Sequence, residues 1–351
     1  MKVLMTADCV GGVWTYALEL ANALAERDVE TTLATMGGPL TAEQRRELRS
    51  SRLRRAYAER YALEWMEQPW GDVAQAGEWL LGIEEEVQPD LVHLNGYAHA
   101  SLPWRAPTLV VGHSCVLSWH EAVRRRPAGL EWRRYRAAVE EGLSAASLLV
   151  APTRAMLDDL IRLYDPPCPR LVVPNGRRRA VPRATKRELV LCAGRVWDEA
   201  KNVQALVRVA PRLPWPVAVA GDGQPGDGVI ALGPLPRAEL DRTLALASIY
   251  AAPARYEPFG LAALEAALAG CALVLGDIPS LREVWGDAAV FVPPDDDERL
   301  EAELIALIRD ERRRLDLAAR ARKRAGIYTP ERMAEGYLRA YAGLTSAVEV
   351  A

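Results

Sequence analysis

Arg195 and Lys201 bracket the segment Gly194-Arg-Val-Trp-Asp-Glu-Ala-Lys201, directly after an apolar run that ends at Ala193. Two fixed cations at the end of a strand are what a diphosphate leaving group requires. The arginine supplies a planar fork of donors and the lysine a mobile point charge. Lysine is not the default cation of this chain: of 44 Lys and Arg residues, only Lys2, Lys186, Lys201 and Lys323 are lysines. A surface ion pair with Asp198 or Glu199 is the alternative reading of either side chain. Further on stands Tyr256-Glu-Pro-Phe-Gly-Leu-Ala-Ala-Leu-Glu265. Glu257 falls in a loop after another apolar run, whereas Glu265 lies inside the helical pattern LAALEAALAG. Gly260 and Leu261 open that helix, where unpaired N–H groups can hold an anion. A carboxylate among apolar neighbours is unfavourable without partners. A pair of ribose hydroxyls would be a bidentate partner, and an exposed glutamate on an amphipathic helix is the alternative.

Near the N-terminus, Asp8-Cys-Val-Gly-Gly12 separates an apolar run from a helical pattern. Gly11 and Gly12 let a ligand approach the backbone of the helix start, which suits a phosphate or a sugar hydroxyl. A plain tight turn explains a bare Gly-Gly equally well. The loop lacks GxGxxG, and no GxxxxGK[ST] phosphate loop occurs anywhere, so a nicotinamide or P-loop reading has little support. His113, in Leu109-Val-Val-Gly-His-Ser114, follows the end of another apolar run; a packed core histidine is its alternative. His93 sits inside a strand pattern and reads as structural. Asp295-Asp-Asp297 has the DxD form that holds a metal elsewhere, but it precedes a helical pattern, where acidic residues cap the N-terminus.

These residues need rigid elements beneath them, and the periodicity supplies such elements. Short apolar runs at 2–6, 31–35, 91–94, 109–112 and 148–151 alternate with helical patterns, notably 78–86, 130–143 and 153–164. Strand and helix alternating in this way build a parallel sheet covered on both faces. Around 172–185 the texture changes to two prolines and a basic run, which reads as a linker. The alternation then restarts, with strands expected at 189–193, 217–220, 229–232, 249–252, 272–275 and 290–292. Met333, Tyr337, Tyr341 and Leu344 mark one face of a last helix from Pro330. The expected organisation is an α/β chain with a domain over 1–175, a linker over 176–187, a second domain over 188–329, and a closing helix over 330–351 that packs back toward the first domain.

Composition narrows the class. The 44 basic and 47 acidic residues leave a formal charge of −3, which argues against a nucleic-acid partner. Half the residues are hydrophobic and about a quarter charged, the mix of a globular chain. The five cysteines are scattered, odd in number and without a CxxC pair, which suits free thiols in a reducing compartment. The first apolar run is too short for a signal peptide, and no stretch of about 20 uncharged apolar residues would span a membrane. The expectation is a cytoplasmic enzyme.

Taken together, Gly-Gly at 11–12, Gly-Arg…Lys at 194–201, Pro-Asn-Gly at 174–176 and Glu-x7-Glu at 257–265 resemble, in order, the retaining glycosyltransferases of family 4. The resemblance implies GT-B architecture: two Rossmann-like domains with a central cleft. It implies transfer of a sugar from a nucleoside-diphosphate sugar, UDP- or GDP-linked, with no cofactor and no metal. Arg195 and Lys201 would bind the diphosphate and Glu265 the ribose. Glu257 would hold the donor sugar with the amides of Phe259 and Gly260, beside Leu261. Gly11 and Gly12 would approach from the N-terminal side, and His113 would lie near the transferred sugar. Tyr97 and His99, in the loop Asn95-Gly-Tyr-Ala-His99, and Trp119 would face the acceptor, which would be a glycan, a lipid-linked or a small molecule. The arginine runs 124–126 and 133–136, near Trp119 and Trp132, read as solvated surface or as a peripheral contact with an anionic acceptor or membrane. Two departures from the family pattern stand out. Ala-Pro-Ala-Arg-Tyr replaces a serine-rich loop before Glu257, and Arg195 and Lys201 are one residue further apart than in many members. A nucleotide-sugar 2-epimerase and a non-catalytic nucleotide-sugar-binding protein are the rival readings.

Overall fold

The computed structural model describes residues 1–178 and 184–348, which form two compact units. The first unit comprises residues 1–121 and 126–176 together with the helix from Pro330, and the second comprises 122–125 and 177–329.

In chain order the first stretch contains β1 (Lys2–Asp8), α1 (Gly12–Ala25), β2 (Glu30–Met36), α2 (Ala42–Ser50), β3 (Arg55–Ala58), α3 (Trp70–Val87), β4 (Leu91–Leu94), β5 (Thr108–Val111), α4 (Val116–Arg124), α5 (Arg133–Ala145), β6 (Leu148–Ala151), α6 (Arg154–Tyr164) and β7 (Arg170–Val172). Its strands pair in parallel in the order β3-β2-β1-β4-β5-β6-β7. Side chains alternate between the two faces, and both faces are covered, which is why the central strands read as unbroken apolar runs. Val3 and Met5 pack with Trp14, Leu20 and Leu24 of α1, whereas Leu4 packs with Ala76, Leu80 and Ile83 of α3.

The second stretch contains β8 (Arg187–Ala193), α7 (Val203–Val209), β9 (Val217–Ala220), β10 (Ile230–Gly233), α8 (Arg237–Leu246), β11 (Ala247–Ala252), α9 (Leu261–Leu268), β12 (Ala272–Gly276), α10 (Pro279–Trp285), β13 (Val290–Val292), α11 (Asp297–Arg309) and α12 (Glu311–Ala325), followed by α13 (Pro330–Val348). Its sheet is again parallel, in the order β10-β9-β8-β11-β12-β13. Relative to its own first strand this repeats the order of the first sheet. Val190, Val217, Val219, Ile249 and Val274 line one core, and Leu191, Ala218, Tyr250 and Leu273 line the other.

Helix α13 belongs to the first unit: Met333, Tyr337 and Tyr341 are buried in the core that holds Trp14 and Leu20. Gly336 permits the close packing, because a Cβ there would stand 2.7 Å from Val173 Cγ1.

Strands β4, β6, β9 and β13 coincide with their apolar runs, and most of the others extend those runs by one to two residues. Strands β3 and β7 are not anticipated by the sequence. Both are edge strands, short and largely solvent-facing, so no apolar run marks them. The pattern at 130–143 opens with a 3₁₀ turn over Leu130–Trp132 before α5 begins. Of the expected linker, residues 179–183 lie outside the described residues, and Arg187 already belongs to β8.

Candidate functional site

Each sheet reverses its winding beside its first strand: between β1 and β4 in the first unit, and between β8 and β11 in the second. In open α/β sheets, loops leaving the carboxyl ends of the strands flanking such a point form the ligand crevice. Arg195 and Lys201 follow β8, and Glu257 follows β11. Gly11 and Gly12 follow β1, and Asn95 follows β4.

In the second unit, Lys201 Nζ is 2.6 Å from Glu257 Oε2, and the Gly260 N–H donates to Glu257 Oε1 at 3.1 Å. The backbone oxygen of Glu257 accepts from Ser280 Oγ at 2.6 Å. Arg195 Nη2 donates to Asp198 Oδ2 at 2.9 Å, and its guanidinium lies 5.2 Å from the centre of the Trp197 ring, which is exposed. Asp198 Oδ1 also accepts the Ala200 N–H, closing the 3₁₀ turn Glu199–Lys201 that carries the lysine. The two cations are therefore already neutralised by two carboxylates. Each still has donors to offer, since a guanidinium carries five N–H groups and an ammonium three. Glycine is required where this loop crowds its neighbour: a Cβ on Gly221 would lie 1.7 Å from the Gly194 oxygen. Gly260 sits at φ +90°, a conformation other residues rarely adopt, and so lets the chain turn into α9.

Glu265, only 6% exposed in α9, accepts from Arg177 Nε at 2.9 Å and from Arg237 Nη2 at 2.7 Å, both at Oε1. The argument that its burial calls for ribose hydroxyls is thereby corrected. Two arginines, 88 and 28 residues away in the chain, already offset the desolvation of this carboxylate.

In the first unit, Gly11 has φ +110° and opens α1 without a side-chain cap. Asp8 Oδ1 accepts the Val10 N–H, and Gln44 Nε2 donates to the Cys9 oxygen, so the loop is held from both sides. His113 Nε2 is 2.7 Å from Asn95 Oδ1, and the ring meets the Tyr16 ring edge-on with centroids 4.4 Å apart. His93 is fully buried in β4, with Nε2 3.2 Å from the Tyr16 hydroxyl and Nδ1 2.6 Å from the Tyr341 hydroxyl. Removal from water pushes both imidazoles down to a pKa of about 3, so both are neutral near pH 7. The structural reading of His93 is thus the one its surroundings support.

Two family models tile most of the chain: Glycosyltransferase Family 4 over residues 10–178 and Glycosyl transferases group 1 over residues 176–324. The chain belongs to glycosyltransferase family 4. Among related sequences, D-inositol 3-phosphate glycosyltransferase of Xylanimonas cellulosilytica is 27% identical, with 95% of this chain and 92% of that protein covered. O-antigen chain mannosyltransferase B of Escherichia coli is 25% identical over 58% of this chain and 62% of that protein. Among solved structures, sucrose-phosphate synthase from Thermosynechococcus elongatus superposes with a TM-score of 0.81 at 17% identity, covering 99% of this chain and all of that one. Anabaena Alr3699/HepE in complex with UDP and glucose gives 0.76 at 16% identity, covering 98% of this chain and all of that one. At these identities the structures establish the fold, which is GT-B.

Within this family 4 chain, several candidate residues do not sit as the sequence suggests. Tyr97 is 3% exposed, and its hydroxyl donates to the Ser114 oxygen, so it faces the interior rather than an acceptor. The cause is α5: Gly142 packs so closely that a Cβ there would stand 2.0 Å from the Tyr97 oxygen. His99 Nε2 is tied to the Val73 oxygen at 3.0 Å, and burial lowers its pKa. Trp119 remains half-buried beside His120. Phe259 is buried edge-on against Tyr328, which leaves only its backbone for a ligand, and Leu261 is partly exposed in the first turn of α9. Asp296 caps α11 by accepting the Arg299 N–H at 2.8 Å, while Asp295 and Asp297 turn to Arg255 and Arg208. Among the described residues, no group of three or more His, Cys, Asp or Glu is arranged to hold a metal, and no helix is long and apolar enough to cross a membrane. Asn95, Arg177 and Arg237 escaped the sequence reading. Only the polar Asn95-Gly turn after an apolar run hinted at the first of them.

Proposed function

We propose that the chain transfers a sugar from a nucleoside-diphosphate sugar, UDP- or GDP-linked, to an acceptor hydroxyl on a glycan, a lipid-linked or a small molecule, with retention of configuration and without a metal ion. The observation that carries this reading is the cluster of Lys201, Glu257 and the Gly260 amide, with Arg195 nearby in sequence, at the switch point of the second sheet. Departure of a diphosphate places negative charge on its oxygens while positive charge grows on the anomeric carbon. The spare donors of Arg195 and Lys201, together with the helix start at Gly260, oppose the first charge. Glu257, held by Lys201 and Gly260, presents a fixed carboxylate to the hydroxyls of the departing sugar. Retention follows from attack on the face the diphosphate leaves, with a diphosphate oxygen taking the acceptor proton. HepE was crystallised with UDP and glucose, which supports a donor of this class. The five free thiols suit a cytoplasmic setting.

A thermal-shift panel of UDP-, GDP- and ADP-sugars tests the donor. A nucleotide at 100 times its dissociation constant stabilises the native state by about 2.7 kcal/mol. Nucleotide release that requires an acceptor and survives excess EDTA is the expected result. Release without an acceptor would favour epimerisation, and activity lost to EDTA and restored by Mn²⁺ or Mg²⁺ would overturn the metal-free reading.

A further inference from the structure

The loop from Arg195 to Lys201 is one residue longer than in many family members, and Trp197 stands in it with 55% of its surface exposed. Its backbone, by contrast, is tightly seated. The Val196 N–H donates to the Asp222 oxygen at 2.9 Å, and a Cβ on Gly223 would stand 3.3 Å from the Trp197 backbone nitrogen. From that fixed base the indole faces the Arg195 guanidinium, 5.2 Å from the ring centre, a distance at which cation–π attraction operates. Among the described residues, the 2.9 Å bond from Nη2 to Asp198 Oδ2 is the one hydrogen bond Arg195 makes, so four of its five N–H groups have no partner. A planar group anchored at a single corner can swing about that contact. The ring on its face removes the freedom. Lys201 lies close to the same loop start, since a Cβ on Gly194 would meet Lys201 Cγ at 3.7 Å.

We infer that Trp197 is a positioning residue that holds the plane of the Arg195 guanidinium, so that its unpaired edge is presented to a diphosphate. The naming of a diphosphate rests on the donor reading above; the coupling of ring and guanidinium does not. A guanidinium grips phosphate oxygens through two parallel N–H donors, which requires a set plane. Ordering that plane beforehand lowers the entropy lost when the ligand binds. In a loop with one extra residue the backbone alone does not order it, and the indole does. Trp197 acts through Arg195 without touching the nucleoside, so its removal is felt by the diphosphate alone.

Calorimetry with UDP, GDP or ADP, whichever the thermal-shift panel favours, tests the ligand side. W197A should raise the dissociation constant about two- to fivefold, the range of an exposed cation–π contact. W197F, which keeps a ring face, should recover most of the loss. The matching nucleoside, which carries no phosphate, should bind wild type and W197A equally, and W197A should change nothing further in an R195A background. Fluorine NMR on full-length protein labelled with 5-fluorotryptophan tests the coupling without a ligand. W197F assigns the Trp197 signal among the ten tryptophans, and R195A, or R195K if alanine unfolds the chain, should move it. Circular dichroism checks that the variants fold. An unmoved signal overturns the inference. So does wild-type diphosphate affinity in W197A, or a loss of affinity shared by the nucleoside or persisting in full in the R195A background. Binding of no nucleoside diphosphate by the wild-type chain overturns the donor reading, and the fluorine signal still decides whether ring and guanidinium are coupled.

Discussion

Lowering the pH should strip stability from the first unit through His93 and His113, and His93→Gln should remove about half of that loss. Both rings have folded-state pKa values near 3, against about 6.5 in an unfolded chain. As pH falls, the unfolded chain therefore binds protons first. The stability is fully present above about pH 6.5 and drains away down to about pH 3. The slope approaches 1.4 kcal/mol per pH unit per group, which gives about 2 kcal/mol for each histidine between pH 7 and pH 5. His99, shifted in the same direction, adds to the trend. Urea unfolding at the two pH values provides the assay. With a slope of about 2–3 kcal/mol/M, the His93 contribution alone should move the midpoint by about 0.7–1 M. Glutamine at 93 can keep a partner for the Tyr16 and Tyr341 hydroxyls, so the variant's own instability is secondary. The quantity of interest is the difference between the two swings, in which carboxylate titration cancels. If H93Q loses as much stability as wild type between pH 7 and pH 5, within about 0.5 kcal/mol, the buried neutral histidine is not what the acid swing reports.

Lys201→Ala should lower kcat by roughly 10²-fold or more, about 2.7 kcal/mol of transition-state stabilisation. Because it leaves Glu257 without its 2.6 Å partner, it should also cost about 1 kcal/mol in urea unfolding; normal turnover would make the lysine a structural ion-pair member only. Glu257→Gln should leave binding of the free nucleoside diphosphate almost unchanged by calorimetry while impairing sugar transfer. Glu265→Gln, with Arg177 and Arg237 left facing a neutral amide, should destabilise the fold by about 2–4 kcal/mol in urea unfolding. Loss of nucleotide binding in Glu257→Gln would overturn its assignment to the sugar, and an unchanged unfolding midpoint in Glu265→Gln would overturn the structural role of its arginine pairs.

The central strands were legible because their side chains are buried on both faces, so β4 and β6 appear as plain apolar runs. Strands β3 and β7 carry residues chosen for solvent and for the pairing of one edge, which leaves no pattern to read. At the site, residue types could be read but pairings could not. Lys201 and Glu257 each stood out, yet nothing in the sequence says that residues 56 apart neutralise one another. Glu265 was singled out by its apolar neighbours, but its arginine partners come from separate segments that share no local signature. Tyr97 misled because an aromatic in a glycine loop looks exposed until a helix packs its backbone tightly enough to require Gly142.

The return of α13 to the first unit has a consequence for how the protein is made. Tyr337 and Tyr341 belong to the core built around Trp14, and Tyr341 holds His93 by its hydroxyl. During synthesis, residues 177–329 must leave the ribosome before that core can close, a delay of about 8–30 s at 5–20 residues per second. Over that interval the second unit is free to fold as an insertion, while the nascent first unit exposes the apolar groove that α13 will fill. A released chain truncated after Thr329 should therefore hold a protease-resistant second unit beside a first unit that binds chaperones.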